Sequence, residues 1–242
     1  MKHPCRLDIT YCGTCSTELE EGQVGVCDDC RTYTFAQLSD NAKDKARDAL
    51  RYTDHYLEYE WWDSVYEDAA RIATILGIDL MRTERRKVGK SYETPDISFS
   101  GFCSQGDGAC FAGHYHFNPN SVAEINAYCN DEKLISIATE LFTLQLARRL
   151  LGLESFSAAI TTAGSYSHSN AMSVEVHFEE DDEHPIDAIE DDAIEDEVTN
   201  VMRSFADWIY ATLEKEHDYL MSDEVVDDQL ADETFDEDGV SV

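Results

Sequence analysis

The spacing of apolar positions changes several times along this chain, and each change marks an element. From Leu38 to Ile78 the spacing is helical and predicts two helices. Ser39 or Asp40 is placed to cap the first. In the second, Trp61, Trp62, Val65, Ala69, Ile72 and Leu76 recur at three and four residues until Gly77 ends the run. An aromatic stripe at that spacing is read as core.

Beyond Leu80 the helical period stops. MRTERRKVGKSYET, residues 81–94, holds Arg82, Arg85, Arg86, Lys87 and Lys90 between Leu80 and Pro95, and is predicted to be an exposed loop. Next, Ile97, Phe99 and Phe102, then Phe111, Tyr115 and Phe117, flank the turn signal Ser104 to Gly108, a β-hairpin pattern. On its second arm His114 and His116 share one strand face opposite Tyr115 and Phe117, as on a half-exposed edge. A helical stripe follows in Ile135, Ala138, Leu141, Phe142, Leu144 and Leu146, and a second hairpin ends in the alternation Ser173 to Phe178. Val198, Met202, Phe205, Trp208, Ile209 and Leu213 then mark one long helix. Two hairpins with helices before, between and after them predict an α+β fold, an antiparallel sheet packed with helices, over residues 35–242.

Residues 1–34 follow a different rule. Cys12, Cys15, Cys27 and Cys30 form two C-x2-C pairs, the ligand pattern of a small zinc-ribbon-like module in which four thiolates surround one zinc ion. Cys5, Cys103, Cys110 and Cys129 lie outside that set. A module this short has too little core to fold without such a staple.

Charge narrows the function. The 242 residues carry 51 acidic and 18 basic side chains, a formal charge of -33. Direct binding to nucleic acid or to an anionic membrane would work against that field, whereas basic proteins and proteins that ordinarily grip nucleic acid are favoured partners. A second copy of the chain is a further candidate, its acid meeting the basic segment at 81–94. The chain shows neither a membrane-length apolar run nor an apolar leader, so a cytoplasmic setting is expected.

After Phe178 there are 25 acidic residues against Arg203 and Lys215. Glu190, Asp191, Asp192, Glu195, Asp196 and Glu197 place six carboxylates in eight residues. On an α-helix that is about one per 2 Å, against one charge per roughly 1.7 Å of duplex DNA. Those six, with Asp223, Glu224, Asp227 and Asp228, are the candidate partner surface, and solvated helix surface is the plainer explanation of the same letters. A catalytic alternative combines Cys110 with His168 as base and Asp107 as orienter. A hairpin tip with a buried cysteine accounts equally for those residues.

FAQLSDNAKDKARDALR, YEWWDSVYEDAARIATILGI, FSGFCSQGDGACFAG, GSYSHS and WIYATLEKEHDYLMSDE together resemble a family of acidic bacteriophage and prophage proteins. Its members often carry the label "antitoxin of toxin-antitoxin stability system", and the similarity covers roughly 200 of the 242 residues. Two segments depart from it: the cysteine module before FAQLSD and the stretch 81–94. The resemblance implies a phage protein in a bacterial host. With the acidic density it leads to a non-enzymatic inhibitor of a host defence nuclease or DNA-binding complex, of anti-CRISPR or antirestriction type, that mimics DNA. An antitoxin neutralising a basic toxin and a cysteine-dependent enzyme are the alternatives.

Overall fold

The computed structural model describes residues 11–19, 26, 31–53, 56–57, 60–87, 90–150, 154–162, 166–178 and 188–242. The fold is α+β, with helices packed among antiparallel sheets. The chain divides into two compact units, residues 1–59 with 218–242 and residues 60–217. The last residues of the chain thus group with the segment that follows the cysteines.

In the smaller unit, β1 (Tyr33–Thr34) pairs antiparallel with β10 (Thr234–Phe235). The helices α1 (Asp40–Arg51) and α6 (Asp223–Leu230) bury Ala42, Ala46, Val226 and Leu230 together with Phe35, Leu38 and Phe235. Ser39 caps α1 as its sequence predicts, its Oγ accepting from the Ala42 N–H at 3.3 Å. Across the two helices, Arg47 donates from Nε and Nη2 to the two carboxylate oxygens of Asp227 at 2.6 and 2.8 Å. Arg51 bonds Asp223 and the Met221 carbonyl.

The larger unit is built on a four-stranded antiparallel sheet of β2 (Ile78–Leu80), β7 (Gly113–Tyr115), β8 (Phe156–Thr162) and β9 (Met172–Phe178), in the spatial order β2-β7-β8-β9. Alternation in β8 sends Phe156, Ala158 and Ile160 to the core. Against this core pack α2 (Asp63–Leu76), α4 (Glu132–Leu150) and α5 (Ala188–Leu220). On α5, Val198, Val201, Met202, Phe205, Ala206, Ile209 and Leu213 are all buried, so its predicted apolar stripe is the face that anchors it. A hairpin of β5 (Ile97–Phe99) and β6 (Ala109–Phe111) forms across the predicted turn, and β8 with β9 forms the second one.

Four local expectations change. Residues 81–94 are not a loop: β3 (Arg82–Lys87) and β4 (Lys90–Pro95) pair over six residues each. On β4 the half-buried Tyr92 and Thr94 flank the exposed Glu93, a strand period too short to stand out beside the run of basic residues. Trp61 and Trp62 precede α2, where their rings meet each other at 5.8 Å and each meets Phe99 at 5.6 Å. His114 and His116 are exposed as expected, but β7 has a strand on either side and is no edge. The helical stretch after Asn120 breaks into α3 (Ser121–Tyr128) and α4, and α4 is rotated from its apolar stripe: Leu146 is exposed while Gln145 and Arg148 are buried. Gln145 is satisfied there because its amide donates to the Phe156 carbonyl at 2.8 Å and accepts from the Phe156 N–H at 3.2 Å. Arg148 stacks its guanidinium 4.3 Å from the Phe178 ring centre and donates to the Glu154 carbonyl. Among the described residues no helix is long and apolar enough to cross a membrane.

Two predictions follow from these contacts. Gly77 ends α2 with φ +84°, and a Cβ there would lie 2.1 Å from the His116 carbonyl oxygen. Gly77→Ala is expected to cost at least about 2 kcal/mol, seen as a lower urea midpoint. In the smaller unit, the hydrogen bonds from Arg47 hold the Asp227 carboxyl below its ordinary value. A group lowered on folding stabilises above the unfolded pKa and loses that contribution as pH falls through the folded one. Asp227→Asn should therefore weaken protection of α1 and α6 amides against hydrogen exchange by about 1 kcal/mol at pH 7, allowing for partial exposure of the pair. The gap from wild type should close as the pH is taken below the usual carboxylate range.

Candidate functional site

The first cysteine pair lies on a tight turn. Cys12 is 2% exposed, and its Sγ accepts the Thr14 N–H at 3.4 Å. The Cys12 N–H donates to the Thr17 carbonyl at 2.8 Å, and the Ser16 N–H to the Cys12 carbonyl at 2.9 Å. Ser16, just after Cys15, sits at φ +60°, which turns the chain back so that Tyr11 bridges Glu18. An N–H aimed at a cysteine sulfur stabilises a thiolate, the form that binds metal. Cys15 is exposed. Cys27 and Cys30, the other half of the predicted set, lie outside the described residues.

The acidic candidates fall in two places. Glu190, Asp191, Asp192, Glu195, Asp196 and Glu197 all lie on the first turns of α5. Asp196 and Glu197 are exposed, and Glu195 is half-buried. The others belong to α6 in the smaller unit, where the carboxylates have unequal roles. Asp223 and Asp227 are engaged by Arg51 and Arg47, whereas Glu224 and Asp228 are exposed. Half of the α6 set is thus already used to hold the unit together.

Cys110, His168 and Asp107 come from neighbouring segments, but each is occupied with a local task. Cys110 is 3% exposed on β6, and burial pushes its thiol up, opposed in part by a hydrogen bond from the His168 backbone. The His168 Nδ1 accepts the Asn170 N–H at 3.0 Å. Its ring and Cα lie so close to Gly108 that a Cβ there would be 2.9 Å from His168 Cδ2. Asp107 Oδ2 accepts the N–H groups of Cys103 and Ser104 at 2.8 and 2.7 Å, closing its own turn. A raised thiol and a carboxylate spent on a turn supply little of what a nucleophile, base and orienter require. His114 and Cys103 are exposed, and no group of three or more potential metal ligands occurs among the described residues.

Comparison with known proteins is informative over one part of the chain. No curated protein and no solved structure matches it. A family match runs from Trp61 to Asp223, more than half of the sequence, and takes in α2, the four-stranded sheet and α5 while leaving out the cysteine knuckle and α1. On that match the chain belongs to the family described as a domain of unknown function, DUF8835.

Proposed function

We propose that the protein is a non-enzymatic inhibitor that binds a nuclease or DNA-binding complex of a bacterial host through the acidic side of α5, in place of DNA. The observation that carries this reading is the form of α5. Its apolar face is sunk in the core from Val198 to Leu213, and Asp196 and Glu197 project from the same continuous helix. Carboxylates on an anchored helix keep their spacing without an ordering cost at the moment of binding, which a flexible acidic tail would incur. Basic DNA-binding grooves are the surfaces that such a preformed array fits. Within the smaller unit, Glu224 and Asp228 on α6 are exposed acid of their own. The phage setting, with an anti-CRISPR or antirestriction role, comes from the sequence resemblance.

Cys12, Cys15, Cys27 and Cys30 are assigned to one zinc ion on the same footing. The knuckle at Cys12–Cys15 and the Thr14 N–H on the Cys12 sulfur fit a thiolate ligand pair. The metal's contribution would be structural, fixing the fold of the cysteine module.

Two measurements test these assignments. Tagged protein incubated with nuclease-treated host lysate should retain a DNA-binding or nuclease complex that elutes at moderate salt and is displaced by duplex DNA. Asp196→Lys with Glu197→Lys should reduce retention at least tenfold. Retention that persists in 1 M salt, where the Debye length is about 3 Å, or recovery of a small basic protein alone, would remove the mimic reading. For the metal, elemental analysis should find one zinc per chain, lost in Cys12→Ser, with the amides of the larger unit still protected. Purified protein without zinc and with ordinary thiol reactivity would sink that assignment.

A further inference from the structure

In the larger unit a groove of about 440 Å³ lies between α2 and β4. Tyr92, Glu93, Thr94 and Pro95, four consecutive residues of β4, line it. Successive side chains of a strand point to opposite faces, so a groove touched by four in a row follows the strand's edge. Among the described residues β4 pairs only with β3. A two-stranded sheet leaves N–H and C=O groups unpaired along its outer edges, where a further strand can add.

The opposite wall is one side of α2, from Asp63 to Thr74. Over that distance the helix rises about 16 Å, the length of four or five extended residues at roughly 3.3 Å each. Ala70 stands midway along this wall with only a methyl group, which gives the groove its depth.

Charge gives the groove a direction. Asp63 and Glu67 stand at the end where the Tyr92 hydroxyl bonds Glu60 and holds the hairpin to the unit. Arg71 follows one turn after Glu67. Arg82, opposite Pro95 in the β3–β4 register, marks the far end, where it continues with Ala70, Thr74 and Pro95 into a smaller cavity that also touches Asp79. Arg71 is two-thirds exposed, its contact with Glu67 is a loose 3.7 Å, and it also hydrogen-bonds the Tyr128 hydroxyl from its exposed position.

We propose that this groove binds the C-terminal end of a partner polypeptide as an added strand on β4. The terminal carboxylate lies between Arg71 and Arg82, and a basic side chain about three residues upstream faces Asp63, Glu67 and Glu93. Carboxylate capture by paired arginines and main-chain addition to a strand edge are separate sources of affinity. The site is independent of the acidic side of α5, so either can fail without the other.

The test uses the full chain and a pool of randomised tetrapeptides immobilised through their N-termini, presented either as free acids or as C-terminal amides. Free-acid peptides should be retained, enriched in Lys or Arg at the first position, and amidation should lower retention at least tenfold. Arg71→Gln, on an exposed helical position, should lower it at least fivefold, and Ala70→Trp, which fills the groove, should abolish it. Equal retention of acid and amide pools, no retention of either, or retention unchanged in either variant would overturn the proposal.

Discussion

A chain with a formal charge of -33 folds only where its carboxylates are kept in water or set beside a cation, and the positions of its elements follow from that constraint. Mutual repulsion opposes compaction everywhere, so each acidic segment must be tied down by something that does not depend on charge. For α5 the tie is apolar. Phe205 meets Phe111 edge-on at 5.4 Å and stacks on Trp208 at 5.9 Å, while Met202, Ala206, Ile209 and Leu213 are fully buried. Trp208 in turn donates its indole N–H to Asp131 at 2.9 Å, tying α5 to the start of α4. Burial on this scale, roughly 1.5 to 3 kcal/mol for each large side chain, outweighs the repulsion among exposed carboxylates that water and salt already screen.

For α6 the tie is ionic as well as apolar. Its first turn carries Asp223 and Glu224 at the positive end of the helix dipole, where acid is favoured. Arg47 and Arg51, both with side chains only 17% exposed, then draw in Asp227 and Asp223 from across the unit. The same residue type therefore serves two ends: Asp227 closes a fold, and Asp196 faces solvent. Composition counts them alike, and only position separates an acid that holds the protein together from one that stands in solvent.

That distinction also marks what could be read from the sequence. Helices with a strong apolar period, such as α1 with its Ser39 cap and α5 with its stripe from Val198 to Leu213, are local facts and were legible, as were Gly77 and the two main hairpins. The pairing of Arg47 with Asp227 joins positions 180 residues apart and leaves no local signal. Gln145 and Arg148 escaped because a polar residue is read as surface unless its partners are known, and theirs are main-chain groups of the segment that follows. The β3–β4 hairpin escaped because Arg and Lys mask a period of two. Of the candidate sites, the C-x2-C spacing is a sequence pattern whose second pair, Cys27 and Cys30, lies outside the described residues. The groove was not legible, since it exists only where the Ala70 side of α2 meets the free edge of β4.

The family match sharpens how these features are divided. It spans Trp61 to Asp223 and so contains the anchored acidic helix and the groove together, whereas the cysteine knuckle, α1 and the arginines that α1 supplies to α6 lie before it. The larger unit thus carries two surfaces of opposite character within the matched region. One is the start of α5, where Asp196 and Glu197 are exposed. The other is a cleft with an arginine at its far end, suited to a carboxylate and to main-chain groups. On the two proposals together, the protein would bridge a basic target and a chain terminus, and a formal charge of -33 would keep nucleic acid from competing at either surface.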